Sequence, residues 1–180
     1  MTNTIVIGLG NPILTDDGVG VLAARELERR FQNKDLDGLH FPEAAVGGIR
    51  LAELLDGYDR AIIIDALVGT DRLPGEWAEF TIEDLRRLNG FEHTSSAHDT
   101  TLPIAIDAAI HLGMKPPGEI ILFGMSVSDI INFSEKPTET VMKAMPEFVQ
   151  AIESRLRSLP DLTGLDPESD NKMVEEYGLS

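Results

Sequence analysis

The chain has 180 residues, of which 42% are hydrophobic and 26% charged, and this composition is typical of one globular domain. Its net charge of −16 argues against binding to nucleic acid or to an anionic membrane surface, because both attract Lys and Arg. The absence of cysteine excludes disulfides, thiolate metal ligands and cysteine nucleophiles. No apolar segment is long enough to span a membrane and no secretory signal is recognisable, so we expect a cytoplasmic protein.

The first half of the chain predicts three strands and two helices. Residues 4–9 form a β-branched apolar segment that ends in glycines, which indicates a buried strand. Residues 18–31 predict an amphipathic helix, since one face collects apolar side chains and the other charged ones. Residues 39–45 predict a second strand, residues 51–55 a helix, and residues 60–66 the clearest buried strand.

The second half continues with alternating strands and helices. Residues 77–82 alternate like a half-exposed strand, either antiparallel or at an edge of the sheet, and a helix begins directly after them. Residues 101–112 predict an apolar helix and residues 119–126 a buried strand. A last helix covers about 138–159, where Pro146 should kink it or mark an early break.

Alternating strands and helices predict an α/β fold, a three-layer sandwich in which helices flank a mainly parallel, twisted sheet on both faces. We assign residues 1–159 to this single domain. Residues 160–180 are rich in Asp, Glu, Gly and Pro, and we expect them to form an acidic, flexible tail.

Three residues that suit metal binding follow predicted strands or precede predicted helices: Asp17, Asp65 and His98. The carboxyl ends of parallel strands share one edge of the sheet, and ligands bind in the crevice there. Two carboxylates and an imidazole at that edge would form an oxygen–oxygen–nitrogen site for a divalent transition metal.

Each of these residues also has a purely structural interpretation. Asp16 or Asp17 could cap the following helix, and the other aspartate would then be available to face the cleft. Asp65 follows three isoleucines, where a carboxylate is costly unless it is paired, although it could cap the next loop. A single histidine such as His98 is usually structural or exposed; Asp99 beside it could orient its ring or cap the next helix.

Other catalytic motifs are missing or incomplete. The segment from Gly8 resembles a dinucleotide-binding loop, but it lacks the third glycine, and acidic residues precede the helix, where they would repel phosphate. The chain has neither the Gly-x-Ser-x-Gly nucleophile motif nor the His-Glu-x-x-His zinc motif. An aspartic-protease dyad would require two similar Asp-Thr/Ser-Gly loops, and only residues 16–18 are vaguely similar to one.

Three motifs together resemble those of the hydrogenase maturation proteases. They are GLGNPILTDDGVG at residues 8–20, IDA at 64–66 and SAHD at 96–99, and the similarity extends over about residues 4–159. The resemblance implies a metal site formed by Asp17, Asp65 and His98. Some relatives have glutamate where this chain has Asp17. The family's Gly-Gly-x-x-Gly loop is also altered here, because alanines replace two glycines after Glu43, and this change concerns substrate specificity more than activity.

The resemblance also implies a function. Such enzymes remove the C-terminal extension from the precursor of a nickel–iron hydrogenase large subunit after nickel insertion. The nickel-loaded precursor would therefore be the partner and would supply the nickel, although the site would also accept other divalent metals. Catalysis could use water activated by the metal, or Asp17 or Asp65 as a general base.

Two alternatives use the same features. A nickel-dependent checkpoint protein would bind the precursor through the same ligands without cutting it. Peptidyl-tRNA hydrolases share the Gly-Leu-Gly-Asn-Pro segment, but their sequence after it differs from residues 13–17, and the acidic charge of this chain opposes a tRNA substrate.

Overall fold

The central element of the fold is a sheet of five strands. The computed structural model describes residues 2–32, 38–42, 49–88, 102–134, 136–160 and 162. The strands are β1 (Thr4–Gly8), β2 (Leu39–His40), β3 (Arg60–Leu67), β4 (Trp77–Thr81) and β5 (Glu119–Ser126). Their order in the sheet is β2-β1-β3-β5-β4, and all neighbours are parallel except β4, which runs antiparallel to β5 at the edge.

In the part of the chain that the structure describes, five helices cover this sheet. They are α1 (Val19–Phe31), α2 (Ile49–Leu55), α3 (Ile82–Leu88), α4 (Leu102–His111) and α5 (Glu139–Arg157). Ile62 and Ile64 of β3 point into a core shared with α1 and α5, whereas Ala61 and Ile63 point into a second core shared with α2 and α4. Both faces of the sheet are therefore buried, as the continuous apolar strands predict. The structure confirms the α/β sandwich with a mainly parallel sheet.

The predicted elements differ from the observed ones mainly in length. Strand β2 has two residues, and Phe41 and Pro42 after it are not in a strand. Of the two alternatives for Pro146, an early break is wrong, because α5 continues past this residue to Arg157, and a kink stays a prediction. Pro146 lies on the exposed side of α5. Five apolar residues on the opposite side are buried and hold the helix on the sheet: Val141, Phe148, Val149, Ile152 and Leu156.

The polypeptide after α5 stays on the core for a few residues. Leu159 and Leu162 are both buried in the cluster that contains α1 and α5. Core contacts thus reach slightly past the predicted boundary at residue 159, and residues 163–180 of the predicted tail lie outside the described residues. Within the described segments, no helix combines the length and the hydropathy needed to cross a bilayer.

Candidate active site

The site is built on a loop that connects β1 to α1, residues 9–18, which we call the motif loop. Glycines of this loop and of the first turn of α1 allow a very close approach of backbone segments. A Cβ atom on Gly20 would lie 2.3 Å from the carbonyl oxygen of Ile64, and one on Gly10 would lie 1.9 Å from that of Asp17. Gly10 also has a φ of +111°, which favours glycine. These contacts place the start of α1 directly against the carboxyl end of β3.

Asp17 lies near the end of the motif loop and is partly exposed. The backbone N–H of Asn11 donates a hydrogen bond of 2.7 Å to its Oδ2 atom, so the side chain folds back over the end of β1. No donor among the described residues reaches its other carboxylate oxygen. Asp17 therefore has one oxygen fixed by the loop and one available to a ligand.

Asp65 occupies the corresponding end of the neighbouring strand. It follows Ile64, the residue paired with Gly8 at the end of β1, and its exposed fraction is only 1%. Its Oδ1 atom accepts a hydrogen bond of 2.8 Å from the backbone N–H of Ala66. Because side chains alternate along a strand, Asp65 lies on the same face as Ile63, which is the face covered by α2 and α4.

Helix α4 begins at the same edge of the sheet. Its last residues lead through Gly113 to the loop before β5. In this loop, the backbone N–H of Lys115 donates to the carboxylate of Asp56, and the backbone N–H of Gly118 donates to the carbonyl oxygen of Asp59. Asp59 immediately precedes β3, so this loop lies at the amino edge. The opposite end of α4, at Leu102, therefore faces the carboxyl edge.

The structure brings two of the three predicted ligands to one edge of adjacent strands, since the contact between Gly20 and Ile64 places the Asp17 and Asp65 segments side by side. His98 and Asp99 lie outside the described residues, as do Glu43 and the glycines after it. Within the described residues, no cluster of three His, Asp or Glu side chains is arranged to hold a metal ion. The roles of Asp17, Asp65 and His98 as ligands stay predictions.

Asp16 does not cap α1, which corrects one of the structural interpretations above. The N-cap residue of α1 is Gly18, and no side chain caps that helix end. Asp16 is instead completely buried, and it binds the segment of residues 128–138 that follows β5, which we call the strap. The backbone N–H of Thr138 donates to its Oδ1 (2.7 Å), and those of Ser128 and Asp129 donate to its Oδ2 (3.2 and 3.1 Å).

Backbone hydrogen bonds join the strap to the motif loop as well. The N–H of Thr15 donates to the carbonyl oxygen of Asn132 (3.0 Å), and the N–H of Ser134 donates to the carbonyl oxygen of Ile13 (3.1 Å). Between these two bonds, Leu14 and Phe133 form an antiparallel bridge. The strap begins after the carboxyl end of β5 and is tied to the loop after β1. The strap therefore lies at the same edge of the sheet as the two aspartates.

A shallow depression of about 240 Å³ lies between α1 and the residues after β2. It contains neither Asp17 nor Asp65. Its lining comes from the end of β1, one side of α1 and the segment before residue 43: Gly8, Val21, Ala24, Arg25, Glu28, Phe41 and Pro42.

Comparison with known proteins identifies the family. The family model HycI, hydrogenase maturation protease, matches residues 21–155 of this chain. The chain belongs to the hydrogenase maturation protease family. It is therefore a member of a peptidase family, as the three motifs indicated. This assignment excludes the alternative of a peptidyl-tRNA hydrolase.

Curated relatives agree with this assignment. The chain is 30% identical over 127 residues to the hydrogenase expression/formation protein HupD of Bradyrhizobium diazoefficiens, a match that covers 70% of this chain and 63% of that protein. It is 26% identical over 160 residues to the hydrogenase 2 maturation protease of Escherichia coli, which covers 87% of this chain and 94% of the relative. The chain thus spans less than two thirds of the HupD relative and nearly all of the E. coli one.

Solved structures show the same fold. The hydrogenase maturating endopeptidase HybD from E. coli superposes with a TM-score of 0.71 at 23% identity, covering 87% of this chain and 93% of that chain. The [NiFe] hydrogenase maturation protease HybD from Thermococcus kodakarensis gives a TM-score of 0.66 at 24% identity, with coverages of 86% and 99%. At these identities, the likeness concerns the fold.

Proposed function

We propose that this protein is an endopeptidase that removes the C-terminal extension of a nickel–iron hydrogenase large-subunit precursor after nickel insertion, and that it recognises the nickel carried by that precursor. The observation that carries the proposal is the placement of two carboxylates, Asp17 and Asp65, at one edge of adjacent strands in a chain of this family.

The donor chemistry supports nickel as the recognised ion. Asp17 offers one carboxylate oxygen that no described residue occupies, and Asp65 is a buried carboxylate, which a cation would stabilise. His98 precedes Leu102 by four residues, and four residues of chain span at most about 14 Å. Because α4 starts at the carboxyl edge, we expect His98 to lie near the same edge as the aspartates. Oxygen and imidazole ligands suit a divalent transition metal such as nickel.

The two aspartates would contribute differently to peptide hydrolysis. The substrate's nickel would polarise the scissile carbonyl group or lower the pKa of a bound water. Asp17 is the better placed of the two to act as general base, because it is partly exposed and has one available oxygen. That oxygen would accept a proton from water only when it is not bound to the nickel. Asp65 is buried and fixed by the Ala66 N–H, so it would orient the ion rather than transfer protons.

A cleavage assay tests the proposal. Nickel-loaded large-subunit precursor from the organism that encodes this chain is incubated with the protein, and the mass of the precursor is followed. We expect loss of the C-terminal extension from the nickel-loaded precursor and none from the nickel-free one. Equal cleavage of both would contradict nickel recognition. Nickel-dependent binding without any loss of mass would instead support the checkpoint alternative.

The Asp65→Asn variant separates function from folding. Asparagine has the same size and its carbonyl oxygen can still accept the Ala66 N–H, so the free energy of unfolding should change by less than about 2 kcal/mol. Cleavage should slow by about 100-fold or more, and nickel affinity should fall, because one charged ligand is lost. His98→Gln should weaken nickel binding in the same way. Wild-type cleavage by Asp65→Asn would exclude the role of Asp65 as a ligand.

A further inference from the structure

The strap and the motif loop together expose an apolar surface beside the site. Ile131 and Phe133 of the strap are 80% and 81% exposed, and Ile13 of the motif loop is 51% exposed. We call these three residues the apolar platform. They lie on two segments that backbone hydrogen bonds join, and large apolar side chains grouped at such exposure are unfavourable in water and commonly mark interaction sites.

The turn that presents the platform is fixed by its own hydrogen bonds. The carboxylate of Asp129 accepts the backbone N–H groups of Ile131 (3.2 Å) and Asn132 (3.0 Å), as well as the side-chain amide of Asn132 (2.9 Å). The carboxylate of Asp16 also accepts hydrogen bonds from both ends of the strap, at residues 128–129 and at Thr138. The platform is therefore preorganised, which reduces the conformational entropy lost when a partner binds.

The platform is continuous with the catalytic edge. Phe133 pairs with Leu14 across the antiparallel bridge, where Cα atoms are about 5 Å apart. Leu14 precedes Asp17 by three residues, so the Cα atoms of Phe133 and Asp17 are at most about 16 Å apart. An extended substrate of about five residues covers that distance.

We propose that the apolar platform is the docking surface for the large-subunit precursor, and that it binds an apolar segment of that protein within about five residues of the cleaved bond. This inference rests on the proposed function. Apolar contact rather than charge selects the partner here, because the three charged residues of the strap, Asp129, Glu135 and Lys136, sum to a charge of only −1 and Asp129 is engaged within the turn.

The double variant Ile131→Ser/Phe133→Ser tests this surface. Both side chains are exposed, so we expect an unchanged melting temperature, a KM for the nickel-loaded precursor raised about 30-fold, and a kcat within about twofold of wild type. The matched control is Ile110→Ser/Leu112→Ser, which removes two exposed apolar side chains (54% and 67%) from the end of α4 at the opposite edge and should leave both constants unchanged. Phe133→Leu should retain most of the affinity.

Other occupants of the platform give different results. An unchanged KM in the strap variant, or an equal loss in the α4 control, would overturn the inference. So would a wild-type dimer that the strap variant converts to monomers, because a second copy would then occupy the surface. The dissociation constant of the nickel-loaded precursor from each immobilised variant is measured in parallel. If wild-type protein binds but does not cleave, the proposed protease function fails while these constants still test the platform.

Discussion

Asp16 and Asp17 are neighbours in the sequence with opposite surroundings, and substitutions should separate their roles. Asp16 is fully buried and accepts three backbone N–H groups of the strap, which Asp16→Ala would leave without a partner. Asp17 is partly exposed and accepts one, from Asn11. We expect Asp16→Ala to lower the free energy of unfolding by about 3 kcal/mol and Asp17→Ala by about 1 kcal/mol.

At temperatures where both variants are folded, Asp17→Ala should reduce cleavage more than Asp16→Ala does. Asp17→Ala should abolish cleavage, since it removes the oxygen proposed to bind the nickel or to accept the proton, whereas folded Asp16→Ala should keep measurable activity. Chemical denaturation and the precursor assay provide the two measurements. Greater stability of Asp16→Ala than of Asp17→Ala would show that the strap does not depend on the buried carboxylate.

The sequence identified the acidic pair but could not assign these roles. A carboxylate before a helix is a common cap, so local chemistry favoured capping for one of the two. The partners of Asp16 lie 112 to 122 residues further along the chain, and no local pattern contains that information. The same limit applies to the apolar platform, because the segments that carry Ile13 and Phe133 are distant in sequence and are joined only in the fold, by the bridge between Leu14 and Phe133.

At the scale of elements, glycine positions hold α1 against the sheet. Gly20→Ala would place a Cβ atom 2.3 Å from the carbonyl oxygen of Ile64 and 2.5 Å from that of Leu9. Both neighbours are backbone atoms, which cannot move independently of the strands. We expect a loss of about 3 kcal/mol or more in the free energy of unfolding, measured by denaturant titration. In Gly118→Ala, the nearest atom would be 3.9 Å away, and this control should change stability by no more than about 0.5 kcal/mol.

Helices α1 and α5 are joined by an ion network that should make stability depend on pH. Arg30 donates to Glu153 (2.6 Å) and to Glu26 (2.9 Å), and Arg157 also donates to Glu153. Burial opposes ionisation of both glutamates, but the hydrogen bonds and charges of the arginines outweigh it and lower both pKa values from the ordinary 4.5. Folding therefore favours the ionised carboxylates. Their stabilisation is complete above about pH 4.5 and is lost as pH falls through the lowered pKa.

Melting temperatures of wild type and Glu153→Gln, measured from neutral pH to about pH 3, test this network. The wild type should be more stable near neutrality, and the difference should shrink as the pH falls below 4.5 and through the lowered pKa of Glu153. Glu139→Gln is the control on the same helix, because Glu139 pairs with Lys143 at the exposed surface and should contribute little. A constant difference between wild type and Glu153→Gln would contradict the assigned pKa shift.

Strand and helix positions followed from the sequence where burial was strongest. The predicted bounds of β5 coincide with the observed strand Glu119–Ser126, and β3 extends one residue further than predicted. Both are central strands whose two faces are covered, so nearly every residue is apolar. Strand β2 lies at an edge and pairs on one side only, and its two residues carry no comparable pattern. Pro146 does not end α5, because the buried residues on the opposite face hold the helix on the sheet on both sides of the proline.

At the scale of the whole molecule, the candidate site is formed by several segments at the carboxyl edge of the sheet, and no single element contains it. The motif loop, the end of β3, the start of α4 and the strap all lie at the carboxyl edge of the sheet. Each is held by contacts between segments that are distant in sequence, such as the bond between Leu9 N–H and the Ile64 carbonyl oxygen (2.8 Å). None of these segments belongs to residues 163–180, so we expect that removal of those residues leaves cleavage intact.

Truncation after Leu162 tests this expectation. The shortened chain keeps Leu159 and Leu162 in the core, so its melting temperature and its cleavage rate should match those of the full chain. Truncation after Leu159 is the sharper comparison, because it removes the buried Leu162 and its hydrogen bond to the Leu159 carbonyl oxygen. That loss should lower the free energy of unfolding by about 2 kcal/mol without changing kcat below the melting temperature. If the chain that ends at Leu162 stays folded but no longer cleaves the precursor, the acidic segment beyond it takes part in the reaction.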